Sequence, residues 1–136
     1  MWRGHARLRF WFVAEPINVP LSLPTSIRSA EHYRWGEACD GWHLLASPAL
    51  SVIQERVPAG AAEVRHRHQR AEQFFYVLAG QATLEIEGQV HQLQVGEGLH
   101  VPAGAAHRLS NLHADSLELL VVSTPPSHGD RELAPC

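Results

Sequence analysis

Apolar and polar residues alternate with a period of two along short segments of the chain. In the segment ATLEIE, for example, Ala82, Leu84 and Ile86 alternate with polar residues ahead of a turn at Glu87-Gly88. This period predicts a strand with one buried and one solvated face, as in an antiparallel sheet. Comparable segments are WHLLA, LSVIQERV, AEVRHRH, QFFYVLA, VHQLQV, HRLSNL and LELLVVS. No segment shows helical periodicity over about ten residues, so the sequence predicts an all-β sandwich or small antiparallel β-barrel.

The pattern divides the chain into three parts. Residues 1–40 are predicted to form a partly irregular N-terminal arm, because Pro16, Pro20 and Pro24 exclude a regular helix there. Within the arm, Leu8–Val13 could form an edge strand that pairs with a neighbouring chain. Residues 41–124 are predicted to form the barrel, and residues 125–136 an irregular tail.

Composition narrows the range of partners and compartments. The chain of 136 residues has 11 Lys and Arg against 14 Asp and Glu, a net charge of −3. Nucleic acids and anionic membranes need a basic surface, so neither is an expected partner. The apolar run FWFVA is shorter than the roughly 7–15 residues of a signal peptide or the ~20 of a membrane helix. Together with Cys39 and Cys136, which are expected to be free thiols, this favours a cytoplasmic protein.

Histidine is unusually frequent, with 10 residues, and two of them are spaced for joint metal binding. His66 and His68 are separated by one residue, so on a strand both side chains point to the same face. Two such imidazoles can reach one ion at the ~2.0–2.1 Å typical of nitrogen–metal bonds. The same spacing can also arise by accident on a surface strand, so the pair alone leaves both interpretations open.

A second motif lies downstream in the stretch GEGLHVPAGAAHRLSN. Five residues separate Gly96 from Pro102, and one separates Pro102 from Gly104. Two residues then separate Gly104 from His107, and three separate His107 from Asn111. Here the sequence resembles the cupin superfamily, whose second motif is G(X)5PxG(X)2H(X)3N. Gly60, His66 and His68 match the opening of the first cupin motif, G(X)5HxH(X)3–4E(X)6G. The resemblance extends over about residues 42–124. It implies a small single-domain bacterial cupin, a jelly-roll barrel or double-stranded β-helix with a metal ion held inside.

The resemblance implies three histidine ligands and a fourth ligand from the first motif. Counting forward from His68, the gap of three that leads to Glu72 and the gap of four that leads to Gln73 are both permitted. The family keeps six residues between this ligand and a glycine, and FFYVLA supplies six between Gln73 and Gly80. Strand parity agrees, because Gln73 shares a face with apolar residues. The predicted ligands are His66, His68, Gln73 and His107, with Glu72 as the alternative fourth ligand. Gln73 could instead only hydrogen-bond a ligand histidine or a water.

The resemblance also implies a function class. A divalent transition metal that accepts about six ligands would keep positions open for water or substrate. Zn, Ni, Fe, Mn and Cu all suit a site of imidazoles and one oxygen. We predict a metal-binding protein that acts on a small oxygen-rich molecule by Lewis-acid chemistry of the isomerase or lyase type, or by dioxygenase chemistry. The alternative is a non-catalytic module that binds a small ligand or a metal.

Further expectations concern the surroundings of the site. Phe75, Trp42, Trp35 and His100 could line a ligand cavity, although each could equally be a core or solvent-facing residue. Catalytic residues are not assigned, and no nucleotide-binding motif is found. The segment Ser127–Asp130 contains residue types of a hydrolytic triad without a scaffold to orient them, so no triad is predicted. A homodimer is expected.

Overall fold

The computed structural model describes residues 22–136, which form strands and no helix. No helix in this part of the chain could therefore span a membrane. The edge strand predicted at Leu8–Val13 lies outside the described residues. The strands are β1 (Glu31–Trp35), β2 (Cys39–Ala46), β3 (Ser51–Val57), β4 (His66–Arg67), β5 (Glu72–Ala79), β6 (Ala82–Ile86), β7 (Gln89–Leu93), β8 (Gly98–Val101), β9 (His107–Ser110), β10 (Leu117–Thr124) and β11 (Glu132–Leu133).

The strands form two antiparallel sheets that pack face to face. The first sheet has six strands in the order β1-β2-β3-β10-β5-β8, and the second has five in the order β11-β4-β9-β6-β7. The core between them is built from the inward side chains of both sheets, including Val57, Val77 and Leu119 from the first and Leu84 and Leu109 from the second. This is a jelly-roll arrangement, and the prediction of an all-β barrel is confirmed.

Strand β5 shows how the period of two selects the side chains that reach the interior. Gln73, Phe75 and Val77 are buried, with 7%, 3% and 0% of their surface exposed. Glu72, Phe74 and the other even-numbered residues of β5 point outward and are exposed. Because Gln73 pairs with Ser123 of β10, a polar row continues across the sheet just above the apolar core.

The structure contains strands that the alternation did not predict. Strands β1, β8 and β11 are additional, and the predicted strand AEVRHRH is reduced to the two residues of β4. The tail, expected to be irregular, contributes β11, whose Leu133 pairs with His66 of β4. Short strands of this kind have too few residues for their alternation to stand out. The division into arm, barrel and tail stays a prediction.

Candidate metal centre

Three histidines converge on one point between the sheets. His66 of β4 and His107 of β9 are direct partners across the strand pair, and His68 follows β4 on the same face. Their candidate ligand nitrogens all lie within 4.8 Å of one another. All three side chains are buried, with exposures of 4%, 6% and 1% for His66, His68 and His107. This group could hold a metal ion.

Backbone carbonyls fix the tautomer and orientation of these rings. His66 Nδ1 donates to the carbonyl oxygen of Val64 at 2.8 Å, and His107 Nδ1 donates to that of Ala105 at 3.0 Å. His68 Nδ1 donates to the carbonyl of Asp130 in the same way. A proton on Nδ1 leaves the lone pair on Nε2, the atom that would bind an ion. His107 Nε2 is buried and has no hydrogen-bond partner among the described residues.

Burial keeps the imidazoles of His66 and His107 neutral. Burial lowers the pKa of His66 to about 3, and the neighbouring His107 lowers it further. Burial also lowers the pKa of His107 below its ordinary value. A histidine must be deprotonated at the ligating nitrogen to bind a metal. His66 and His107 are therefore held in the protonation state that ligation requires.

Gln73 and Glu72 point to opposite sides of the sheet. Gln73 Nε2 donates to Ser123 Oγ at 2.9 Å, while its Oε1 is buried without a partner among residues 22–136. The exposed carboxylate of Glu72 accepts a hydrogen bond from His100 Nε2 at 2.8 Å on the outer face. A buried amide oxygen without a partner is costly in a folded protein. The donor set of three Nε2 atoms and Gln73 Oε1 fits a transition metal, whereas Glu72 lies away from it.

A cavity of about 260 Å³ opens beside His66, His68 and Gln73. Its remaining wall combines apolar residues such as Ile53 and Val121 with Tyr33, Trp35, Glu55, Glu63, His128 and Arg131. Burial raises the pKa of Glu55 to about 8, with a further contribution from Glu63. Burial likewise raises the pKa of Glu63 to about 7, although its carboxylate accepts a hydrogen bond from the Leu109 N–H at 3.0 Å. The cavity thus combines neutral metal-ligand types with two carboxyl groups that titrate near neutral pH.

The C-terminal segment completes the site through Asp130. The Asp130 carboxylate accepts hydrogen bonds from the backbone N–H groups of Gln69, Arg70 and Ala71, each at 2.9 Å. These bonds lower the pKa of Asp130, and the same residue's carbonyl receives His68 Nδ1. The segment containing Ser127 and Asp130 therefore braces the turn after β4 and orients a histidine.

The structure places the other expected cavity residues in different surroundings. Trp42 lies on the outer face of the six-stranded sheet, where the Arg56 guanidinium is 5.0 Å from its ring centre, so it does not line the cavity. It pairs with Gln54 on β3, one step away from the inward-facing pair Gly41 and Glu55. His100 is also on the outer face, paired with Glu72. Phe75 is a core residue whose ring centre lies 6.0 Å from that of His107, and Trp35 does line the cavity.

Comparison with known proteins identifies the family. The family model for the cupin domain matches residues 53–123, more than half of the chain. The chain belongs to the cupin family. An uncharacterised protein of Methanocaldococcus jannaschii is 27% identical to this cupin over 84 residues, covering 61% of this chain and 67% of the relative. Quercetin 2,3-dioxygenase of Bacillus subtilis is 38% identical over 72 residues, or 52% of this chain, but the match covers only 21% of that enzyme.

Solved structures of other cupins share the fold. KdgF from Halomonas sp. superimposes with a TM-score of 0.68 at 22% identity, covering 75% of this chain and 94% of KdgF. A sugar phosphate isomerase of the cupin superfamily from Silicibacter pomeroyi gives a TM-score of 0.65 at 22% identity, with 74% of each chain covered. At this identity the likeness describes the fold alone.

Proposed function

We propose that this cupin is a metal-dependent enzyme that binds a small oxygen-rich molecule and moves a proton within it, as isomerases and lyases do. His66, His68, His107 and Gln73 would hold one divalent transition metal. The observation that carries this proposal is that two of the four buried side-chain atoms without partners in residues 22–136, His107 Nε2 and Gln73 Oε1, belong to the candidate ligand set. Since buried polar atoms are normally hydrogen-bonded, the two orphaned atoms point to a bound group that supplies their partner.

The donor set favours polarisation of a ligand over redox work. All four candidate ligands are neutral, so a bound divalent ion would keep its full charge and act as a Lewis acid towards a carbonyl or hydroxyl oxygen. The family's usual glutamate would bring a negative charge that helps to stabilise higher oxidation states. Spacing and donor types are compatible with Zn, Ni, Fe, Mn or Cu.

The chain's own residues shape the ligand that could enter. A cavity of about 260 Å³ suits a molecule of a few carbon atoms. Its wall offers the carboxyl groups of Glu55 and Glu63 and the guanidinium of Arg131, which hydrogen-bond to hydroxyl and carbonyl groups. A small polyhydroxy carbonyl compound matches these groups.

Two other functions have support. Dioxygenase chemistry is favoured by the 38% identity to quercetin 2,3-dioxygenase over 72 residues. A non-catalytic module that captures a metal or a chelating ligand would need the same histidines and cavity. Turnover separates both enzymes from the module, and a requirement for molecular oxygen separates the dioxygenase from the isomerase or lyase.

The test begins with metal analysis of the purified protein, followed by stripping, reloading with each candidate ion and assay against sugars, keto acids and enediols. His107→Ala should weaken metal binding by about 100-fold and abolish turnover, because it removes a buried ligand. His32→Ala is the matched control, since His32 is an exposed histidine of β1 that pairs with Asp40 of β2. Unchanged metal affinity in His107→Ala would refute the proposal. Stabilisation by ligands without turnover would favour the binding module.

A further inference from the structure

Glu55 carries a carboxyl group on the face of β3 that points towards the apolar core. Ile53, Glu55 and Val57 point inward from this strand, and Ile53 and Val57 are buried at 5% and 0% exposure. Glu55 lines the same cavity as His66 and Gln73. Among residues 22–136, no side chain or backbone group donates a hydrogen bond to its carboxylate and no cation pairs with it. A core-facing carboxyl that is left free in a cavity is available to a ligand.

The neighbouring strands are built to bring a tyrosine beside this carboxyl. Tyr33 of β1 pairs with Gly41 of β2, which in turn pairs with Glu55 of β3, so the three positions form one row across the sheet. A Cβ at position 41 would lie 2.7 Å from the Tyr33 hydroxyl oxygen, so the Tyr33 ring would have to move aside. Glycine at this position therefore lets the Tyr33 ring lie over β2, on the side of the sheet that faces the cavity.

Glu55 differs in its electrostatic surroundings from Glu63, the other carboxyl group of the cavity. Glu63 is held by the Leu109 N–H and lies in the field of Arg131 and Arg108. Within residues 22–136, the groups coupled most directly to Glu55 are Tyr33 from β1, Cys39 from β2 and Glu63. His66, His68, His128 and Arg131 line the same cavity, but none of them forms an ion pair with Glu55. Burial raises the pKa of Cys39 to about 11, so its thiol is neutral as well. With a pKa of about 8, Glu55 can both accept and return a proton near neutral pH, as a general acid–base group must.

We propose that Glu55 is the catalytic residue that removes a proton from the bound ligand and returns it. This inference rests on the proposed function. The ionised carboxylate accepts the proton of a carbon next to the ligand's carbonyl group. The C–H bond breaks, an O–H bond forms on Glu55, and the electron pair moves onto the carbonyl oxygen. When that carbon bears a hydroxyl group, transfer of the hydroxyl proton to the former carbonyl oxygen and return of the carbon-bound proton to the former carbonyl carbon complete an isomerisation. Protonation of the original carbon from D2O instead leaves a deuterium label.

The experiment uses dihydroxyacetone, a three-carbon hydroxyketone, as the probe. Metal-loaded protein in D2O should exchange the probe's C–H hydrogens for deuterium, and NMR measures the rate of this exchange. Glu55→Gln, a neutral isostere, should lower the exchange rate by about 100-fold or more, the usual contribution of a general acid–base group. The wild-type rate should rise with pH as Glu55 ionises and level off above its pKa, which the bound cation should hold below the value of about 8 in the metal-free protein. Glu118→Gln, on the outer face of the same sheet, is the matched control and should keep the wild-type rate.

A second readout does not depend on turnover. The infrared band of a protonated carboxyl group in metal-free protein at pH 6 should weaken in Glu55→Gln. In the metal-loaded wild type, the carboxyl or carboxylate band that Glu55→Gln removes should shift when dihydroxyacetone is added. A carboxyl that the probe does not touch would show no shift.

The outcomes separate this inference from the proposed function. Exchange at the wild-type rate in Glu55→Gln would overturn the role of Glu55, and so would an infrared band that is unmoved by the probe. Exchange that survives His107→Ala but disappears in Glu55→Gln would overturn the metal requirement and retain Glu55. Binding of metal and probe without any exchange would overturn both proton transfer and the role of Glu55 in it.

Discussion

Replacing Gln73 by leucine together with Ser123→Ala separates the stability of the metal-free protein from its affinity for an ion. Gln73 Oε1 is buried without a partner among the described residues, and such a group costs about 1–3 kcal/mol. The double variant removes this cost and also the hydrogen bond from Gln73 to Ser123, worth about 0.5–1.5 kcal/mol. The unfolding free energy of the metal-free double variant should therefore change by about −0.5 to +2.5 kcal/mol, with a gain of roughly 1 kcal/mol as the central value.

Metal affinity should move in the opposite direction. Loss of even an outer-shell partner of a metal ligand costs about 10–100-fold in affinity, so loss of a ligand should cost about 100-fold or more. An ion at about 100 times the wild-type Kd stabilises the wild type by ~2.7 kcal/mol, but a variant with a 100-fold higher Kd by only ~0.4 kcal/mol. The difference of about 2.3 kcal/mol corresponds to roughly 9 °C in Tm for a domain of this size. Thermal unfolding of stripped and reloaded protein, with titration calorimetry for the affinity, measures both quantities.

Glu72→Gln is the control for the same assays. It removes the charge of an exposed carboxylate that pairs with His100 on the outer face, and surface pairs of this kind contribute about 0–1 kcal/mol. Its metal-induced rise in Tm should equal that of the wild type. A double variant of Gln73 and Ser123 that keeps the full metal-induced rise, or a Glu72→Gln protein that loses it, would refute the assignment of Gln73 as a ligand.

Three other expectations can be checked in simpler assays. Burial raises the pKa of Glu55 to about 8 in the folded protein, above the ~4.3 of an unfolded chain. The folded state therefore binds the carboxyl proton more tightly than the unfolded state. As a result, the free energy of unfolding falls as pH rises from about 4 to about 8, by up to ~1.4 kcal/mol per pH unit. Glu55→Gln should flatten this part of the urea-unfolding profile of metal-free protein, and an unchanged slope would contradict the assignment. Asp130→Asn should destabilise the protein by about 1–3 kcal/mol and weaken metal binding through His68, and an unchanged metal affinity would show that the brace is dispensable. The homodimer is proposed to form through the exposed outer face of β5, where Phe74 and Tyr76 are 43% and 37% exposed. Phe74→Lys should then yield monomers in sedimentation analysis. An unaltered mass of the assembly would exclude this face as the interface.

The sequence predicted those parts of the site that depend on fixed spacing and strand parity. His66 and His68 could be placed on one face because alternate residues of a strand share a face. The second motif supplied His107, and the structure brings the three rings together. Gln73 was distinguished from Glu72 by one residue of register, and the buried and exposed positions of these neighbours follow that register. Strand parity and motif spacing were sufficient to place these side chains, and the role of Gln73 as a ligand stays a prediction.

Other parts of the site depend on contacts between distant segments, which spacing does not reveal. In the sequence LSVIQERV, Glu55 is indistinguishable from an ordinary surface residue. Only the pairing of β1, β2 and β3 places it beside Tyr33 in the cavity. Asp130 lies about sixty residues from the turn that it braces. Trp42 was expected in the cavity because it is aromatic, but its register with Gln54 puts it on the outer face. Hydrophobic character indicates burial without indicating which side of a sheet is buried.

The proposed neutral ligand set and the Glu55 carboxyl group line the same cavity and would interact electrostatically. A cation that is held only by three imidazoles and an amide would keep its whole positive charge inside this cavity, where Coulomb interactions are stronger than in bulk water. That charge would lower the pKa of Glu55, because a nearby opposite charge favours the ionised form of an acid. Burial acts in the opposite direction and raises the same pKa to about 8 in the metal-free protein. A glutamate in place of Gln73 would cancel part of the cation's charge and leave Glu55 more fully protonated. The exchange of one carboxylate for an amide in the first motif therefore affects both the acidity of the ion's ligands and the readiness of Glu55 to accept a proton.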